Sequence, residues 1–230
     1  MTFEYPSMPK GENWLDNLPV RYKEGQNGFE LRLARELAAV GVRCYTLESL
    51  ANGPTTIPPA IPIFVDWLEH LDQKIPGPET RHREVIRVGL IRNLIDPAAK
   101  RNRGAIEALF AQLARTNPPL PHIHEYFTLR ALDTIAERKD YDRMVRIFRT
   151  LTHDDSKICV LHYLGQFKTP EARELILPHV ADPLVRYQAI QSLGRIKNPA
   201  DRALIESYAD DPNYQVRNAV KSALKKIPQS

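Results

Sequence analysis

Residues in the second half of the chain recur every 29 positions: Ile135-Ala136, Leu164-Gly165 and Leu193-Gly194, with Lys139, Lys168 and Lys197 following at the same interval. A period this short, carried by helix-compatible sequence, fits one kind of unit. That unit is a helical hairpin that cannot bury its apolar side alone and stacks on its neighbour to do so. Aligned on Ile135, Leu164, Leu193 and, after a two-residue slip, Leu224, the copies place Ala131, Val160, Ala189 and Val220 one turn earlier. Leu132, Leu161 and Ile190 stand beside them, so a buried stripe is expected. The small residues Ala136, Gly165 and Gly194 predict close approach between hairpins, and Lys225 at the equivalent place marks a terminal unit that faces water.

Proline and glycine punctuate the rest at spacings that leave helix-length pieces and little room for sheet, as at Gly53-Pro54, Pro58-Pro59, Pro76-Gly77-Pro78 and Pro118-Pro119. Ten helices are predicted from residue 60 onward: 60–73, 80–95, 98–115, 122–138, 141–152, 156–167, 170–180, 183–196, 199–209 and 212–227. Asp96-Pro97, Thr169-Pro170, Asp182-Pro183, Asn198-Pro199 and Asp211-Pro212 read as helix starts, with a capping side chain followed by proline at the first helical position. Upstream, Phe29, Leu33, Leu37 and Val40 share one helical face that ends at Gly41, and a short helix from Leu47 to Ala51 follows Thr46. Trp14, Leu15 and Leu18 are expected to pack on this pair. The expected fold class is all-α: an α-solenoid of antiparallel helical hairpins over residues 56–230, closed by an N-terminal helical cap over residues 1–55.

Composition sets outer bounds. With 230 residues, 43% of them hydrophobic, the chain can bury a sizeable core without disulfides. Cys44 and Cys159 have neither metal-ligand spacing nor the pattern of a secreted scaffold. The most apolar stretch, Ala60 to Leu68, is broken by Asp66, and the first residues lack a basic head followed by an apolar core. No membrane association is expected, and the cytoplasm is the expected compartment. The formal charge is +4, with its steepest excess between Arg81 and Arg103. There Arg81, Arg83, Arg87, Arg92, Lys100, Arg101 and Arg103 face only Glu84 and Asp96. Arg83, Arg87, Arg92, Lys100, Arg101 and Arg103 are therefore candidate anion-binding residues, against the plainer reading of a solvated helix surface.

The segments Asp182-Pro-Leu-Val-Arg-Tyr-Gln-Ala-Ile-Gln-Ser-Leu-Gly-Arg-Ile196 and Asp211-Pro-Asn-Tyr-Gln-Val-Arg-Asn-Ala-Val-Lys-Ser-Ala-Leu-Lys-Lys-Ile227 resemble HEAT-like repeats. They are most similar to the short variety first noted in phycobilisome lyase subunits, with Asp-Pro, then Val-Arg, then Ala-Leu-Gly. The resemblance covers about residues 127–227, with Ser156-Lys157 and Phe127-Thr128 replacing Val-Arg in two degenerate copies. It implies a solenoid that binds another macromolecule on the concave surface lined by the second helices. It also implies that Arg186 and Arg217 are ladder groups tying a loop aspartate to the next hairpin. A role as an assembly factor or lyase-like chaperone follows from the family analogy alone.

The outward row of the second helices, taken four residues apart, runs Leu129, Asp133, Glu137, then Ile158, His162, Gln166, then Tyr187, Gln191, Arg195, and finally Asn218, Ser222, Lys226. Its mixed character suits a protein partner. The candidate partner-binding residues are Asp133, Glu137, His162, Gln166, Tyr187, Gln191, Arg195, Asn218 and Lys226. Nucleic-acid binding through the Arg81 to Arg103 excess is the alternative, since resemblance to HEAT-like DNA glycosylases would supply a basic solenoid of this size. That family's aromatic residues and catalytic carboxylate would have to come from Trp67 and Asp66, and Trp67 alternates with Phe64 and Leu68 as core residues do. HEAT-type deoxyhypusine hydroxylases bind iron through several His-Glu pairs. Here only His124-Glu125 is such a pair, with His122 on another side of the helix. No metal, cofactor or catalytic residue set is expected, and a non-enzymatic adaptor or scaffold is the leading reading.

Overall fold

The computed structural model describes residues 4–25, 27–53 and 56–228. Among them the regular structure is helical, with no strand beyond one isolated bridge. The chain packs as two units, Met1–Ala136 and Glu137–Ser230.

In the first unit, α1 (Leu31–Ala39) and α2 (Leu47–Ala51) follow a largely irregular lead, whose Trp14 and Phe29 form a small core with Ala34 of α1. Leu15 and Leu18 pack against it, as their apolar character predicts. The Thr46 hydroxyl accepts from the Ser49 amide and starts α2. Next come α3 (Ile61–Glu69), α4 (Leu71–Lys74), α5 (Arg81–Asn93), α6 (Arg103–Leu113) and α7 (His122–Ile135). Helix α5 lies between α2 and α7, while α3 packs on α5 and α6 packs on α3 and α7. Gly89 lets α5 meet α2 closely, because a Cβ there would stand 2.5 Å from Leu47 Cβ.

The second unit repeats one plan three times. Helix α8 (Tyr141–Phe148) packs on α9 (Asp154–Leu164), α10 (Pro170–Ile176) on α11 (Arg186–Ile196), and α12 (Arg202–Glu206) on α13 (Tyr214–Leu224). The second helices α9, α11 and α13 adjoin in sequence order to form one layer. Leu164, Leu193, Ala189, Val160 and Val220 are all buried there, where the 29-residue alignment puts them. This is the architecture of an α-solenoid.

Several helix starts differ from the sequence expectation. Thr169-Pro170 opens α10 as read, with the Thr169 hydroxyl accepting from the Ala172 amide. Asp96-Pro97 and Asn198-Pro199 instead open short 3₁₀ turns, and α6 begins only after Asn102, whose side chain caps it. Asp182 and Asp211 each accept from an amide two residues on, Leu184 and Asn213, so they close a turn before the helix rather than cap it. The physical reason is that a short side-chain acceptor satisfies a turn amide as readily as a helical one.

Candidate interaction surface of the second helices

The layer α9, α11, α13 is held at close spacing by two glycines. A Cβ on Gly165 would lie 2.6 Å from Ser192 Cβ, and one on Gly194 would lie 2.7 Å from Ala223 Cβ and 2.8 Å from its Cα. Ser192 uses this closeness to donate from its hydroxyl to the Leu161 carbonyl at 2.8 Å. Two arginine bridges fix the last two hairpins. Arg186 on α11 donates to Asp211 at 2.7 Å, as the family resemblance implies, and also to the Val180 and Ala181 carbonyls. The Asn213 backbone amide, followed by the Arg186 guanidinium, holds the Asp211 carboxyl below the usual carboxylate range. Arg217 departs from the expected role, donating only to the carbonyls of Asp211 and Pro212 in its own loop among its described bonds. The second bridge, Arg173 to Asp201, carries no repeat signature and is absent from the sequence expectations.

With its inner side packed and its first residue bridged to Asp211, α11 leaves Tyr187, Gln191 and Arg195 partly open, while Gln188 to Ile190 and Ser192 to Gly194 are buried. On α9 the corresponding residues are Ile158 and His162, with Gln166 just beyond its end. Asn218 and Ser222 on α13, with Lys226 beyond it, are exposed. Two residues of the predicted row are placed otherwise. Leu129 is fully buried, because α7 is covered by both α5 and α6 and its open side is turned toward Ile123 and Arg130. Glu137 lies past the end of α7, where it forms a reciprocal capping box with Asp140 and pairs with Lys139. Asp133 is partly open on α7 in the first unit.

Residues 147–225 match the family model for HEAT repeats. HEAT repeats are thus shown over that segment, about a third of the chain. No curated protein and no solved structure matches it. HEAT repeats generally mediate protein–protein interaction.

Upstream of the matched HEAT segment, the basic run between Arg81 and Arg103 does not form one exposed stripe. Arg83 and Arg87 are buried, Arg87 to 3% exposure. Arg87 donates to both carboxylate oxygens of Glu79 and, at 2.8 Å, to Gln112, while Arg115 reaches Glu79 at 3.3 Å. Burial pushes the Glu79 carboxyl up, but the hydrogen bond and charge of Arg87, with those of Arg115, outweigh it and hold Glu79 below the usual carboxylate range. A sequence excess of cations has thus become an internal ion cluster. Arg103 bonds Glu107 along α6, and Lys100 and Arg101 are exposed.

Arg92 faces a cleft of about 300 Å³ between the end of α2, the end of α5 and α7. Its walls include Asn52, Arg92, Asn93, Tyr126, Phe127 and Arg130. Of these, the sequence marks only Arg92 as a binding candidate, because the others come from segments with no shared spacing.

The histidines divide. His122 is exposed and His124 is buried, with its Nδ1 lacking a partner. Among the described residues no group of three or more His, Cys, Asp or Glu side chains is placed to hold a metal ion, and no helix is long and apolar enough to cross a membrane. Trp67 is buried and donates to Glu36, while Asp66 is exposed and pairs with His70 and Lys74. Both cysteines are buried thiols, and burial pushes Cys44 up to about 12.

Burial lowers the His124 pKa from its ordinary value, and the charges of Arg87 and Arg81 add to this against Glu84 and Glu79. The folded chain therefore resists a proton that the unfolded chain accepts below about pH 6.5. Stability attributable to this group is full above that pH and is lost as pH falls. Urea midpoints at pH 7.5, 6.5 and 5.5 should fall less steeply for His124→Gln than for the wild type. Parallel curves would show that His124 does not couple to folding.

Proposed function

We propose that the chain is a non-enzymatic, cytoplasmic adaptor that binds a partner protein along the layer of α9, α11 and α13, with residues 1–55 acting as the helical cap of the array. The observation that carries this reading is the row His162, Gln166, Tyr187, Gln191, Arg195, Asn218 and Lys226, partly open or exposed along three adjoining helices and just beyond the ends of two of them. A half-buried tyrosine flanked by amide and guanidinium groups combines the anchoring and polar elements found at interface centres. The row runs from neutral to basic, which favours a partner with neutral and acidic side chains in that order.

A photo-crosslinking amino acid at Gln191 in the full chain tests it. One protein should be captured reproducibly from cells, its yield falling about tenfold when Tyr187→Ala and Arg195→Glu are combined, which corresponds to about 1.4 kcal/mol. The same group placed at Glu206, exposed on α12, should capture nothing in common with it. Equal capture from both positions would count against a surface on the second helices.

A further inference from the structure

We propose that the cleft between α2, α5 and α7 is a second binding site, and that it takes a short acidic peptide segment of a partner protein. Two observations point to such a ligand independently. The first is an unmet hydrogen-bond acceptor. Asn93 is 5% exposed, and its amide nitrogen donates to the carbonyls of Leu47 and Gly89 at 2.9 and 2.8 Å. Those two carbonyls fix which way the amide faces, since an oxygen turned toward them would have no proton to share. Asn93 lines the cleft, and its Oδ1 is buried beneath that wall without a partner. Leaving such an acceptor dry costs about 1–3 kcal/mol, which a peptide N–H would recover once the side chains covering the oxygen move aside on binding.

The second observation is the charge and chemistry of the walls. Arg92 and Arg130 both line the cleft, Arg130 exposed and bonded only weakly along its own helix to the Tyr126 hydroxyl at 3.3 Å. Arg92 lies over the Phe127 ring at 5.0 Å and donates to Asn52, and its contact with the exposed Glu48 is a long 3.6 Å. One carboxylate is also present. Asp96 accepts from the Thr56 hydroxyl and from the amides of Ile57 and Ala98, so its charge is met by three donors and it holds the cleft's floor in place. A ligand carboxylate therefore meets two guanidinium groups, a backbone N–H meets Asn93, and an adjacent flat or apolar side chain meets Tyr126 and Phe127. A volume near 300 Å³ suits two or three residues of peptide rather than a folded surface.

This inference concerns the first unit and stands or falls separately from the reading of α9, α11 and α13. Its test is fluorescence anisotropy on the full chain with a labelled Gly-Glu-Phe-Asp-Glu-Gly amide as probe. Saturable binding is expected, weakened at least about tenfold when Glu and Asp are replaced by Gln and Asn, and to a similar degree by Arg130→Ala. Because Arg130 is exposed, its variant should keep the wild-type circular dichroism and melting curve. Methylating the backbone nitrogen of the probe's phenylalanine or aspartate reports on Asn93, and at least one of the two should weaken binding about fivefold. No saturable binding, indifference to Arg130→Ala in the folded variant, or tighter binding of a single-stranded oligonucleotide of equal charge would overturn the proposal. The last result would make the cleft a polyanion site instead.

Discussion

Gly194→Val is expected to lower the stability of the second unit by about 1–3 kcal/mol. For a unit of this size that is a loss of roughly 4–8 °C in melting temperature for each kcal/mol. The cost has a specific source. Even the first atom of a side chain at Gly194 would sit 2.8 Å from Ala223 Cα, a backbone atom of α13 that can move only with its helix. Helix propensity works the other way, since glycine is the worse helix former by a few tenths of a kcal/mol relative to valine. The clash should win because it is with backbone, and interiors at this density have no slack to absorb it. Ala223→Gly should rescue only part of the loss, because trimming that side chain still leaves the α13 backbone in the way. Gly104 supplies the contrast. A Cβ there meets only Val65 Cγ1 at 3.2 Å and Asn102 Oδ1 at 3.5 Å, so Gly104→Ala should be neutral or stabilising by up to about 1 kcal/mol. Equal melting curves for Gly194→Val and wild type would mean that α11 and α13 are not packed as described.

The glycines explain why so much of the second unit is legible in the sequence. A helix that must touch its neighbour at backbone distance repeats its small residue at a fixed interval, so Gly165 and Gly194 announce both the period and the layer. The Arg186 bridge is legible for a related reason, because Asp-Pro and Val-Arg recur together in the family the segments resemble. Arg173 recurs in no such pattern, and its partner Asp201 sits inside a 3₁₀ turn where the sequence suggests a plain helix start. Leu129 falls outside the expected row because α7 is covered by both α5 and α6, so the alignment that serves α9, α11 and α13 does not carry over to it. Arg83 and Arg87 are not the open cations their spacing suggests, since net charge along the chain counts cations without showing Glu79 among them. The cleft is the least legible of all. Asn52, Asn93 and Arg130 meet only after three helices are in place, and Asn93 matters for an acceptor that no sequence pattern records.

These points bear on function through spacing. The row from His162 to Lys226 can act as one surface only if α9, α11 and α13 keep their register, and that register is set by backbone contact on the inside and by arginine bridges at the edges. If the proposed surface is used, residues that never touch the partner therefore control whether it is bound. Variants at Gly165 or Gly194 should lose binding together with stability, whereas Tyr187→Ala should lose binding alone.

Arg173→Met is expected to cost about 3 kcal/mol, toward the lower end of the range for breaking a buried ion pair. Arg173 Nε stands 2.9 and 3.1 Å from the two oxygens of Asp201, and Nη2 adds a bond of 2.6 Å, so one planar fork holds both oxygens. Asp201 is 1% exposed, whereas the arginine side chain is open to 20%. Deleting the cation leaves a carboxylate that water cannot reach well, and the cost is the uncompensated charge rather than the lost attraction. The arginine's partial exposure lets some water in from its side, which is why the upper end of the range is not expected. Asp201→Asn, which keeps the shape and removes the charge, should cost less than Arg173→Met. The double variant Arg173→Met with Asp201→Leu should recover most of the loss, since neither charge then remains buried. Additive costs in that cycle would show that the two side chains do not act as a pair, and that α10 is not tied through them to the turn before α12.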